Sequence, residues 1–355
     1  MIDQEKISSD WIQHVSKKHR KADPILVEKV IRALLLLEGL VKVKLPFVFK
    51  GGTALMLHFH STKRLSIDID IILPDKVMDI EAVLQKIVEI QGFTRVKLQH
   101  REKRSDIDKA HYKLFYLPIR DSAKEEESVL LDILFEQVHY SNLIQLPIES
   151  SFLPQHGEPL MVDIPSIEDL LGDKLTAFAP NTTGISYFKG NNSMSMEIIK
   201  QLYDIGSMFD VFQDIQVMKK TFGTFAVSEL AYRKQDGVTA EDVMEDIFQT
   251  SLSIATRGKD GKANFEELQN GIQRIRSFIF SENYHLEKAI THATKAAYLA
   301  TILKYDTASI ERFTPSINMQ EWIIEQPFNT SVNKLKKSNP EAFFYWYKMY
   351  ELSKI

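Results

Sequence analysis

Two stretches decide the fold: Phe49-Lys-Gly-Gly-Thr-Ala-Leu-Met-Leu57 and, shortly after it, Lys63-Arg-Leu-Ser-Ile-Asp-Ile-Asp-Ile-Ile72. Residues 46–50 read as a short buried strand, Gly51-Gly52 as a tight turn and 53–59 as a helix. Residues 65–73 alternate Ile and Asp, as a strand with one apolar face does. Side chains two apart on a strand share a face, so Asp68 and Asp70 project together while Ile67, Ile69 and Ile71 face the other way. Adjacent carboxylates repel one another unless a cation offsets them. Hard oxygen ligands of this sort suit Mg²⁺, which commonly bridges one or two carboxylates to substrate phosphates. The strand, Gly-Gly turn and helix supply the complement, because glycine lets a ligand approach the backbone and a helix N-terminus offers amides to a phosphate.

Neither half of this pattern is specific alone. Gly-Gly turns are common, and Asp106-Ile-Asp108 repeats the Asp-x-Asp spacing in a charged stretch with no apolar strand around it. That copy reads as solvated surface within a loop or hairpin tip over 101–109. The joint pattern, with Arg64-x-Ser66 leading into the two aspartates, is far more discriminating.

Outward from this centre, Asp23-Pro24 starts a helix, with Asp as cap and Pro at the first position, that runs to about Gly39. Pro74 closes the Ile/Asp strand, 75–90 form an amphipathic helix, and 93–99, 112–119 and 129–138 are strand-like. From Ser166 onward helical patterns dominate, interrupted by 180–192, an Asn/Gly/Ser-rich stretch that reads as an exposed loop. The aromatics Phe343, Phe344, Tyr345, Trp346, Tyr347 and Tyr350 crowd a terminal helix and are expected to lock it onto a core, with base stacking as the lesser option. The expected fold class is α+β: a core over 1–165 with a mixed sheet flanked by helices, then a helical domain over 166–355.

The 355 residues, 44% hydrophobic and 26% charged, describe a globular chain of about two domains at roughly 100–200 residues each. With no cysteine, disulfides, thiolate zinc sites and thiol nucleophiles are excluded. The N-terminus lacks the build of a signal peptide. The greasiest run, 33–41, contains Glu38 and falls well short of the roughly 20 residues that span a bilayer, so no membrane association and a cytoplasmic location are expected. Net charge is −4, yet residues 1–64 hold 12 Lys/Arg against 6 Asp/Glu, and 95–120 hold 8 against 3. These basic stretches on an acidic body either meet phosphates or average out as solvated surface. There is no P-loop, no His-Glu-x-x-His and no Gly-x-Ser-x-Gly. His58 and His60 would face different ways on a helix. His285 and His292 are seven apart and read as a helix-surface pair.

Gly51-Gly52-Thr53 followed by Asp68-Ile-Asp70 resembles the metal-binding signature of the DNA polymerase β-like nucleotidyltransferases. The fuller string, Gly-Gly-Thr-Ala-Leu then Arg-x-Ser-x-Asp-x-Asp, is similar to the AbiEii/AbiGii branch, toxins of type IV toxin–antitoxin and abortive-infection systems that include the MenT toxins. The resemblance implies a third carboxylate on a neighbouring strand, matched by Asp132 in Val129-Leu-Leu-Asp-Ile-Leu-Phe135; a strand-edge residue with a local hydrogen bond is the other account of it. It implies a phosphate-contacting Lys174 in Ser166-Ile-Glu-Asp-Leu-Leu-Gly-Asp-Lys-Leu-Thr-Ala177, where Ser166 with Asp169 also forms a capping box. It matches Lys200-Gln-Leu-Tyr-Asp204-Ile to an Arg-Asp-x-Tyr-Asp-Leu helix, with Lys in place of Arg and Gln201 in place of the acid. Lys cannot reproduce a bidentate Arg fork, and a surface ion pair between Lys200 and Asp204 would also explain that spacing.

The resemblance therefore implies Mg²⁺-dependent transfer of a nucleotide from an NTP. Asp68 and Asp70 would hold metal. Gly51, Gly52, Thr53, Arg64, Ser66 and Lys200 would bind the nucleotide. Asp132 would complete the metal site or act as base, and Lys174 and Asp204 would serve the same reaction. The implied acceptor is RNA, the tRNA 3′ end foremost, and the implied partner is an antitoxin encoded nearby that acts without a stable complex. A protein or small-molecule hydroxyl as acceptor, and a catalytically silent binding fold, remain open at this level.

Overall fold

The computed structural model describes residues 1–59, 63–74, 79–99, 108–119 and 125–354. His60, the first residues of the helix expected over 75–90, and Asp106-Ile107 with most of the expected 101–109 loop lie outside them. The described chain forms two compact units, 1–166 with 277–283, and 167–276 with 284–355.

In the first unit, α1 (Ser9–Lys18) and α2 (Pro24–Lys42) precede β1 (Val48–Lys50), α3 (Gly51–His58), β2 (Asp68–Leu73), α4 (Ile80–Gln91), β3 (Arg95–Leu98), β4 (Asp108–Tyr116) and β5 (Glu127–Phe135). The sheet order is β1-β2-β5-β4-β3, with β2 and β5 parallel and every other pair antiparallel. A hairpin of β6 (Leu143–Pro147) and β7 (Met161–Pro165) follows. Asp23 caps α2 by accepting from Ile25 N at 2.9 Å, as its sequence predicts. Alternation sorts the sheet: Ile69, Ile71, Leu131, Ile133, Tyr112 and Leu114 are buried in one core with Val30, Ile31 and Leu34 of α2 and Leu84 and Ile87 of α4. Each such side chain contributes roughly 1.5–3 kcal/mol by leaving water. Glu38, the charge inside the greasy run, is buried at 1% exposure; it accepts from Ile2 N at 2.6 Å and Gln91 Nε2 at 3.2 Å and pairs with Lys42 at 2.7 Å. The charge is tolerated in the core because its oxygens are satisfied.

Three sequence readings shift. The Ile/Asp strand begins at Asp68 rather than 65, because Leu65 N donates to Phe278 O and Arg64 bridges to Ile279, both outside the sheet. The β4 strand begins at Asp108, so Asp108 belongs to a strand and not to a solvated loop. The β6–β7 hairpin is an addition to the strands that the sequence pattern predicts.

The second unit is helical, apart from a two-stranded turn at 188–193: α5 (Ile167–Ala177), α6 (Ser195–Phe209), α7 (Ile215–Tyr232), α8 (Ala240–Ala255), α9 (Phe265–Arg274), α10 (Leu286–Lys304), α11 (Leu335–Ser338) and α12 (Pro340–Leu352). Its centre is α10, buried continuously from Ala289 to Ile302 and packed on α6, α8 and α12. The aromatic helix is α12, with Phe343, Phe344, Tyr345, Trp346 and Tyr350 all buried, as expected of a core lock. The 180–192 stretch is not simply exposed: Thr183 is buried and donates to Thr176 O, and Asn181 and Thr182 donate to Asp246. His292 is no surface residue either. It is buried against Tyr203 and Tyr284, and desolvation pushes its imidazole down to about 3. No described helix is long and apolar enough to cross a membrane.

Candidate active site

The β1–α3 turn is built by Gly51 and Gly52, and neither position has room for a side chain. Gly51 sits at φ +82°, a conformation that costs other L-residues roughly 1–2 kcal/mol, and a Cβ there would stand 2.1 Å from Asp70 Oδ2. A Cβ on Gly52 would stand 2.5 Å from Arg64 Nη2 and 2.9 Å from Ser66 Oγ. The turn thus lets three polar side chains of the Arg-x-Ser-x-Asp-x-Asp string lie directly on the backbone that opens α3. Thr53 fastens the assembly, donating from Oγ1 to Asp68 O at 2.6 Å. Arg64 is buried and donates from Nη1 to Leu65 O at 3.2 Å.

Sheet register brings the third carboxylate to the same place. Lys50 is opposite Asp70, Asp70 is opposite Asp132, and Asp132 is opposite His111. Directly opposed residues share a face, so Lys50, Asp70, Asp132 and His111 form one row across four strands, on the side away from the α2/α4 core. Asp68, two residues before Asp70, is on that face too. His111 Nδ1 donates to Asp132 Oδ1 at 2.6 Å, the carboxylate being the acceptor. The sequence pattern passes over His111, because it starts this strand one residue later.

The donor set of Asp68 and Asp70, hard oxygens beside a glycine backbone that a Cβ would block, fits a divalent cation arriving with a polyphosphate. Among the described residues no three His, Asp or Glu side chains stand close enough to ligate an ion by themselves.

In the second unit, Lys174 of α5 and Asp204 of α6 are both buried and paired at 3.0 Å, and Lys174 Nζ also donates to Gln201 Oε1 at 2.9 Å. Gln201, the departure from the acidic residue of the Arg-Asp-x-Tyr-Asp-Leu helix, thus has a defined partner. Lys200 bonds Glu197 one turn back at 3.0 Å.

JHP933 of Helicobacter pylori is structurally similar at 16% identity and a TM-score of 0.40, with 85% of this chain and 94% of that chain covered. A further H. pylori structure, of a candidate nucleotidyltransferase, gives 18% identity and a TM-score of 0.40, with 79% and 94% covered. No curated protein matches the chain. The family model described as nucleotidyl transferase AbiEii toxin, type IV TA system, matches residues 35–289, a span that takes in the glycine turn, the aspartate strand, Asp132, Lys174 and Asp204. The chain belongs to the AbiEii family: it is a nucleotidyltransferase of the type IV toxin–antitoxin class.

Proposed function

We propose that the protein transfers a nucleoside monophosphate from an NTP to an RNA acceptor, the tRNA 3′ end foremost, with Mg²⁺ as the metal. The observation that carries this reading is the seating of Asp70 against Gly51 with Asp132 in register beside it. Asp68 and Asp70 would hold the ion, which supplies charge neutralisation at the phosphates when bound. Gly51, Gly52 and Thr53 present the opening amides of α3 to the triphosphate, and Arg64 and Ser66 lie against the same turn. Asp132, its Oδ1 engaged by His111, serves the acceptor side. Lys174, Lys200 and Asp204 are assigned to the same reaction on the family motif. The RNA acceptor is supported by the basic stretch over 95–120, in which Lys97 and Lys109 are exposed. The antitoxin partner follows from the toxin–antitoxin family.

The test is transfer of label from each α-³²P-NTP to total cellular RNA and, separately, to RNA-free protein extract. Label that appears only with RNA, and falls steeply as salt rises, is the expected result, because phosphate gripping makes RNA binding salt-sensitive. Label on protein, insensitive to salt, would replace the RNA acceptor with a protein hydroxyl.

A further inference from the structure

The row across the sheet ends on a histidine that nothing in the reading above uses. His111 sits on β4 directly opposite Asp132, its Nδ1 held by that carboxylate at 2.6 Å, with its side chain 17% exposed. No described group bonds its other ring nitrogen, Nε2. A carboxylate that accepts from Nδ1 fixes the imidazole in the tautomer whose Nε2 carries a free lone pair, and holds the ring in one orientation. The surroundings point to what that lone pair meets. Lys109 and Lys113 flank His111 on the same strand face, and Lys97 of β3 is opposite Lys113. Lys97 and Lys109 are exposed and Lys113 half-buried, so this end of the sheet presents cations around one oriented imidazole.

We infer that His111 is the general base of the transfer, and that Asp132 is its positioning residue. The inference rests on the nucleotidyltransferase reading of the site and names the acceptor-side chemistry within it. The lysines would hold phosphates of a polyanionic acceptor and bring a terminal hydroxyl to Nε2. The hydroxyl proton passes to Nε2 as its oxygen bonds the α-phosphorus. The bond from that phosphorus to the β-phosphate bridging oxygen breaks, and pyrophosphate departs with the electron pair. The proton held on His111 then leaves to solvent, so one hydroxyl and one NTP yield one nucleotidylated acceptor, one pyrophosphate and one proton. Asp132 loses no proton in this sequence; it keeps Nδ1–H in place and stabilises the imidazolium that forms.

The test uses the full chain, α-³²P-NTP and total cellular RNA, with His111→Gln, His111→Ala and Asp132→Asn beside wild type. Gln keeps an amide that can donate to Asp132 but has no basic nitrogen, which separates a base from a merely structural partner. The expected result is a loss of kcat by about 10²–10⁴-fold in both His111 variants, with the KM for NTP within about threefold of wild type. Added imidazole restores part of the activity of His111→Ala and none of that of Asp68→Ala. His111→Gln working within about threefold of wild type, or a His111→Ala variant that imidazole does not rescue, overturns the inference while leaving the nucleotidyltransferase reading intact. Wild type that labels no acceptor overturns both.

Discussion

The Gly51–Asp70 contact is where sequence, geometry and chemistry are most tightly bound. Gly51→Ala must move a carboxylate oxygen that stands 2.1 Å from the new Cβ and must also hold a strained backbone at φ +82°. It is expected to lower transfer activity at least about 10²-fold, the range seen when one preorganised group of an active site is displaced. Gly52→Ala also crowds Arg64 Nη2 and Ser66 Oγ but needs no left-handed backbone, and is expected to cost less. Parallel kinetics on the two variants check the order. The Lys174–Asp204 pair is buried, so its two charges depend on one another. Lys174→Met leaves Asp204 buried with its cation gone, and should destabilise the protein by about 3–5 kcal/mol. Lys174→Met combined with Asp204→Leu removes both charges and should recover most of that stability in urea titrations, with activity still abolished.

At the scale of elements, what is legible in the sequence follows from periodicity. The β2 strand is legible because Ile at every second place leaves the aspartates on one face, and α2 because an Asp-Pro start leads into a continuous apolar helix. Asp132 stands out by its Val-Leu-Leu-Asp-Ile-Leu context, and the register puts it beside Asp70. His111 does not stand out. Asp108-Lys-Ala-His at the start of β4 has no apolar alternation, and only pairing with β5 makes it a strand. The helix α10 hides its interior for a related reason. It is rich in Ala and Thr and buried on all sides, so it shows no stripe, and His292 reads as a surface residue. Its burial gives a pH prediction. The folded-state value near 3 lies below the ordinary histidine value of 6.5, so the neutral ring is favoured in the fold. The stabilisation is complete above pH 6.5 and is lost as pH falls toward 3, at roughly 1.4 kcal/mol per pH unit while the unfolded ring is charged and the folded one is not. Urea titrations of wild type and His292→Leu at pH 7 and pH 5 should show the difference between the two proteins shrinking or reversing at the lower pH.

At the scale of the whole molecule, a net charge of −4 conceals a basic stretch that the fold turns into a lysine-bearing sheet edge. Lys97→Gln with Lys113→Gln should raise the KM for RNA and leave the KM for NTP unchanged. The slope of log affinity against log salt should fall by about one for each phosphate that the variant no longer grips. Filter binding at several salt concentrations reads this directly.

The glycine turn and its aspartates are proposed to perform nucleotidyl transfer onto RNA. Label transfer from each α-³²P-NTP to total cellular RNA in the presence of Mg²⁺, wild type beside Asp68→Ala, tests this. The expected result is an RNA band labelled by wild type from a preferred NTP and absent with Asp68→Ala, the variant remaining folded by circular dichroism. Equal labelling by both proteins, or labelling by neither, would contradict it.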